Sequence, residues 1–439
     1  KNMDDWDVKG QERLVPLDLV MDYPVEWEFW RVLRDLIQNF YDSIGYKQFH
    51  REFEYRYTSE KDGAITLIMK SRNHPFSFEW LTYFGGSTKT GKEGYIGTYG
   101  EGFKVSALCL VRMGCTFTME SQDWKLSPCI YTKEIDGRKT RMLGYHIWDR
   151  KDDGATTLIV RGIGASHQKE IEEGLLNFFY PENPLFGKEL ADTKDYAIYE
   201  RSKMRIPDRS IWPEQERGLL YFRYLARGIL PFPLIILAKT QKQESIEKRD
   251  RDTLYPFQVP ALVYKVAKSM SPEDSYVLLN RLKKYWADVP IISKKEVVSL
   301  NTWYYVICQL VRNISDDSRL PEKLLQEHPN LLWLERTGFD AQLNKSICRA
   351  REWHHAIGGK EKIVSPVFRL LGVPSLREQY RTYMEQTAFI TPDSQQMEMG
   401  KILADTYEQI VPEHLHQGET PPLIIIGSYK GSPMEFCRR

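Results

Sequence analysis

The chain predicts a mixed α/β architecture: an α/β sandwich of one sheet backed by helices, then a smaller α/β domain, then a mainly helical region. Three observations carry this. A long amphipathic pattern occupies residues 26–46. A stretch with seven glycines in twenty residues, GGSTKTGKEGYIGTYGEGFK (85–104), opens onto an apolar helical pattern. Four strand-like segments follow between 115 and 163, with Asp136-Gly137 and Asp153-Gly154 supplying turns. At 439 residues the chain exceeds one ordinary core, so several domains are expected.

Taken in order, the 26–46 pattern places Phe29, Val32, Leu33, Leu36, Ile37 and Phe40 at core spacing on one helical face. FEYRYTS (53–59) and AITLIMK (64–70) read as strands around the turn EKDG, and SFEWLTYF as a short helix. The glycine-rich stretch cannot be a regular element, because glycine loses too much chain entropy in one. VSALCLVRMG (105–114) reads as a buried helix. CTFTME, CIYTKEI, MLGYHIWD and ATTLIVRGI form an antiparallel meander. Residues 166–215 carry PENPLFG and RIPDRSIWP and read as a connection. GLLYFRYLARGILPFPLIILA (218–238) reads as strands, and VPALVYKVAKSM starts a helix, giving a second domain over 216–300. Helical patterns dominate 301–439, with PPLIIIGS as a late apolar strand.

Composition narrows the function classes. With 61 basic and 60 acidic residues the net charge is +1, so no global field attracts nucleic acid and any such binding needs a local patch. No apolar run approaches the ~20 residues of a membrane span. The six cysteines form no CxxC pair, which reads as reduced thiols and no zinc site. His354-His355, His414 and His416 read as surface or packing histidines. The polar opening KNMDDWDVKG does not look like a secretory signal, and the expected location is the cytoplasm. Trp27, Trp30, Trp80 and Tyr83 read as core aromatics rather than stacking platforms.

Two features carry chemistry. Within RDLIQNFYDS (34–43), Asp35, Asn39 and Asp42 fall at steps of four and three on one narrow helical stripe. The stripe is either a solvated face or a row of ligands for a metal–phosphate group. Gly97, Gly100 and Gly102 immediately precede a helix, whose first N–H groups and partial positive charge suit phosphate. No GKS/T follows, so this is not a Walker loop, and the glycine order is not that of a Rossmann turn. Alone it reads equally as a flexible surface loop.

Together these pieces carry a resemblance. DLIQNFYDS resembles the E-L-I-x-N-x-x-D-A box of the GHKL ATPases, the superfamily of gyrase B, MutL, the ninety-kilodalton heat-shock chaperones and the MORC proteins. YFGGSTK…YIGTYGEGFKVSAL resembles their lid and phosphate loop, FG-x-S-x-K…IG-x-x-G-x-G-x-K-S, and GATTLIV their later G-T-x-V strand. The resemblance spans residues 26 to about 163 and implies a Bergerat-type ATP-binding domain over 1–165 with a transducer-like domain after it. It implies ATP and Mg²⁺ as ligands, slow hydrolysis, lid closure and contact between two protomers. By this resemblance Asn39 would hold Mg²⁺ and Asp35 would be the general base. Gly97, Gly100 and Gly102 would cradle phosphates, with Phe103 and Lys104 following them. Ser87, Thr88 and Lys89 would belong to the lid, Thr156 would stand at the threonine position, and Asp42 would be a helix-side acceptor.

Two departures stand out. Asp35 replaces the usual glutamate and is shorter by roughly 1.5 Å, a displacement able to slow the chemistry by about a hundredfold. The adenine-reading D-x-G-x-G box is matched by SRNHPF, with Ser71 at the aspartate position and Asn73 and Pro75 at the glycines. Losing a charged hydrogen bond there costs about 1.5–3 kcal/mol. Ser71 or Asn73 would accept the bond more weakly, or the base is not adenine. After the last strand of the second domain, Lys239 or Lys242 in LAKTQKQESIEKRDRD would reach the γ-phosphate as the superfamily's transducer lysine does, or the run is a solvated loop. The other readings are a non-hydrolysing nucleotide-sensing scaffold, and a nucleic-acid-engaging protein in the MutL or MORC manner with a vestigial ATP site. Clients of DNA maintenance or anti-phage defence fit the resemblance equally.

Overall fold

A computed structural model describes residues 12–81, 102–206, 214–239, 254–255, 257–287 and 294–386, and, further on, 398, 402, 423–425 and 435–437. The chain is mixed α/β and divides into two units, Lys1–Ser269 and Met270–Arg439.

The first unit holds a seven-stranded antiparallel sheet. Its strands are β1 (Arg13–Val20), β2 (Phe53–Ser59), β3 (Ile65–Arg72), β4 (Thr116–Ser121), β5 (Trp124–Ile135), β6 (Arg138–Asp149) and β7 (Ala155–Ile163), in the order β1-β6-β5-β4-β7-β3-β2. Asp136 and Gly137 both adopt positive φ, 50° and 72°, as a two-residue hairpin turn requires. Alternate residues point to one face, so Leu67 and Met69 of β3 and Leu158 and Val160 of β7 share a core. Helices α1 (Phe29–Ile44) and α3 (Gly102–Arg112) cover that face, with α2 (Phe49–Glu52) a single turn between α1 and β2. The six apolar residues singled out on α1 are all buried, and Gly45, at φ 86°, ends the helix.

At the outer border of the sheet, β1 pairs only with β6 among the described strands. Its register breaks between Pro16 and Leu19, where Asp18 takes φ 51°. The opposite border, β2, turns Glu54 and Arg56 outward as an ion pair at 2.7 Å.

A second sheet comprises β8 (Phe186–Asp192), β9 (Tyr196–Arg201), β10 (Gly218–Phe222), β11 (Leu225–Leu230) and β12 (Leu234–Ala238), ordered β11-β10-β12-β9-β8. Helix α5 (Gln258–Ala267) packs on β11 and β12. The segment that reads as a connection therefore supplies two strands, β8 and β9. It also closes the first core: Ile171, Phe178 and Tyr180 are buried there together with Leu225. The Tyr41 hydroxyl donates to the Phe179 carbonyl, and Tyr55 to that of Ile171 at 2.7 Å, in the last turn of α4 (Gln168–Glu173).

The second unit is mainly helical: α6 (Pro272–Arg281), α7 (Lys294–Ser315), α8 (Leu320–Glu327), α9 (Ala341–Ala356) and α10 (Leu376–Gln386). Ser271 caps α6 by accepting from the Asp274 amide at 3.0 Å, with Pro272 at the first helical position. Val306, Ile307, Leu310, Val311 and Ile314 of α7 are fully buried. Short strands β13 (Leu331–Trp333) and β14 (Lys362–Val364) pair in parallel, and β15 (Leu423–Ile425) with β16 (Glu435–Cys437) antiparallel. Among the described residues no helix is long and apolar enough to cross a membrane.

Candidate functional site

Helix α1 brings Asp35 to the start of α3, with Asn39 one turn further along α1. The Asp35 carboxylate lies directly on Gly102, the first residue of α3, and a Cβ built at 102 would overlap it. A side chain at 102 would have to displace the Asp35 carboxylate from this position. Ser106, one turn further along α3, donates from Oγ to Asp35 Oδ2 at 3.2 Å. A carboxylate is stabilised here by the unpaired N–H groups and partial positive charge of a helix start. Asn39 is half-buried and its Nδ2 donates to the Asp35 carbonyl at 3.0 Å, which orients Oδ1 away from that bond. Asp42, the third member of the stripe, is buried at 6% exposure.

The next residues of α3 face inward. Phe103 packs edge-on against Phe117, ring centres 5.8 Å apart, and is a core residue. Lys104 is buried at 1% exposure, and that burial pulls its ammonium down to about 8. Ser87, Thr88, Lys89, Gly97 and Gly100 lie outside the described residues, as does Lys242.

A row of hydroxyls closes the far end of the same sheet face. Ser71 at the end of β3 stands opposite Thr156 at the start of β7, and Ser121 ends the neighbouring β4. All three are buried. Thr156 Oγ1 donates to the His74 carbonyl at 2.8 Å. With that proton committed, Ser121 Oγ donates to Thr156 Oγ1 at 2.7 Å and itself accepts from the Phe76 amide at 2.9 Å. The chain of bonds laces residues 74–76 onto the sheet. Thr156 is thereby a tie for this loop. Ser71 Oγ, by contrast, is buried with no hydrogen-bond partner among the described residues. An unmet buried hydroxyl costs about 1–3 kcal/mol. Asn73 is exposed and takes φ 60°, the left-handed conformation that glycine or asparagine adopts most easily, with its amide on the Gly154 carbonyl at 2.9 Å.

Lys239 does not join this site. It pairs with Asp192, donates to the Thr193 carbonyl at 2.6 Å, and has neither Asp35 nor Asn39 among its described partners. A cavity of about 430 Å³ lies on another side of α1, lined by Trp30, Arg34, Lys169, Glu173, Arg227 and others, and neither Asp35, Asn39 nor Asp42 lines it. Among the described residues no group of three or more His, Cys, Asp or Glu is placed to hold a metal ion. Magnesium bound through phosphates would need only one or two protein oxygens, and the sequence offers Asn39 Oδ1 as a candidate.

Sequence reasoning did not assign Ser106, Ser121 or His74. Ser106 had a signal, since four residues from Gly102 places it on the same helical face. Ser121 had one as well, being a polar residue in phase with Phe117 and Met119. No protein-family model matches the chain, and no curated protein matches it.

Proposed function

We propose that the first unit is a GHKL-type nucleotide-binding domain of Bergerat fold that binds ATP with Mg²⁺ between α1 and the start of α3 and hydrolyses it slowly. The observation that carries this reading is the Asp35 carboxylate resting on Gly102, which joins two motif pieces far apart in the chain. By the resemblance, the Ser71 hydroxyl would face the base and the Asn39 amide oxygen the metal. Magnesium, when bound, would supply positive charge to offset that of the phosphates. Asn39 would hold it through Oδ1. Asp35 would orient the attacking water and take its proton, while Ser106 holds the carboxylate in one rotamer. Nucleotide-dependent shape change and pairing of protomers follow from the resemblance.

One observation favours a second reading. Asp35 is already engaged by Ser106 and the α3 start, which suits a structural tie in a non-hydrolysing nucleotide sensor. Calorimetric titration with ATP and magnesium, with phosphate release by wild type and Asp35→Ala, separates the readings. The enzyme reading expects binding by both and release by wild type alone. Release at background from both, with a lower melting temperature for Asp35→Ala, supports the sensor. No binding by the folded chain removes both.

A further inference from the structure

The cavity beside α1 combines an apolar wall with permanent positive charge. Leu33, Leu176, Leu185, Ile206 and Leu219 line it and are all buried. Into this wall the second sheet sets an arginine. Gly228 of β11 pairs with Leu220 of β10, and Ala226 with Tyr221, so Arg227 is the extra residue of a β-bulge. Plain alternation would send Ala226 and Arg227 to opposite faces. The bulge re-aims them, and both line the cavity. Arg227 is only 6% exposed. A guanidinium cannot shed its proton, so its charge is fixed. A second guanidinium comes from α1, where Arg34 lies over the Trp30 ring, 5.1 Å from its centre. That contact uses the flat face of the group, whereas carboxylates and phosphates are bound along its edge. The two carboxylates on the wall sit against other groups, Glu173 against Lys169 Nζ at 3.8 Å and Glu170 against His167 Nδ1 at 3.4 Å. Ser166 and Lys169 are exposed, so the cavity opens to solvent. Its volume of about 430 Å³ falls in the range of small-molecule sites, about 300–1,000 Å³.

We propose that this cavity binds a small amphipathic anion, a carboxylate or phosphate monoester on an apolar body. The body displaces water from the leucine and isoleucine wall. The head group pairs with Arg227 and Arg34, since guanidinium groups match both kinds of anion edge to edge. A neutral amphiphile forgoes these charge-assisted bonds, and a cationic one meets repulsion. The site is separate from the nucleotide reading, because neither Asp35 nor Asn39 lines it.

The test is calorimetric titration of the full chain with octanoate, octyl phosphate, octanol and octylamine. At least one of the two anions binds at one per chain, and octanol and octylamine bind about tenfold or more weaker. The tighter of the two anions identifies the head group as carboxylate or phosphate ester. Arg227→Met removes the charge and weakens that anion by about tenfold or more. Ala226→Leu fills space without touching charge and weakens it severalfold. Octanol or octylamine binding as tightly as the anions overturns the proposal. So does unchanged anion affinity in a folded Arg227→Met, or no binding of either anion by the folded wild type. Should Arg227→Met not fold, unchanged affinity in Arg34→Met overturns it equally. The readout uses no nucleotide, so failure here leaves the function proposed above standing, and failure of that function leaves this site.

Discussion

Gly102 is the residue on which the proposed site turns, because its missing side chain is what admits the Asp35 carboxylate. Gly102→Ala puts a methyl group into that carboxylate, and overpacking of this kind costs about 1–3 kcal/mol. The expected outcome is a lower urea midpoint together with weakened ATP binding, whereas Gly63→Ala, at an open turn, leaves binding unchanged. Lys104 gives a pH signature. Burial holds its folded-state pKa at about 8, below the usual lysine value of 10.5. Between those limits the unfolded chain still binds a proton that the folded chain has released, so this group makes stability rise as pH climbs from about 8 toward 10.5. Buried tyrosines and cysteines titrate there in the opposite sense, which makes the comparison with Lys104→Met decisive. The variant lacks the rising component, and the difference between the two urea midpoints narrows across that window.

At the scale of elements, the hydroxyl row makes three strand ends and one loop a single object. Thr156→Val removes the donor to His74 and the acceptor for Ser121 without changing volume. Each buried group left unmet costs about 1–3 kcal/mol, and the expected readout is faster hydrogen exchange at the Phe76 amide, which hangs on Ser121. Much of the element order was legible because its signals are local. The α1 stripe follows from a period of 3.6, and β4 to β7 from alternation bounded by Asp-Gly turns. β1 escaped notice because Pro16 interrupts its pattern, and β8 and β9 because proline-rich segments flank them and hide two short strands. Which hydroxyls meet was not legible, since the pairing of Ser71 with Thr156 is a matter of register between strands distant in sequence. The sequence suggests Lys239 as a phosphate ligand by its place after a strand, but the position of its partner Asp192 depends on the topology of the second sheet.

At the scale of the molecule, the first core does not stop where the motif-bearing region does. Ile171, Phe178 and Leu225 are buried in it, and each such side chain contributes about 1.5–3 kcal/mol. Three of them rival a large share of a domain's total of about 5–15 kcal/mol. A fragment of residues 1–165 is therefore expected to aggregate or to lack a cooperative melt, while 1–269 melts in one transition by calorimetry. The borders of the seven-stranded sheet carry a different consequence. Pro16 has no N–H to offer an incoming backbone, and the kink at Asp18 bends the line that a foreign chain would have to follow. A second molecule arriving at this border would then have to engage side chains rather than extend the sheet by backbone pairing.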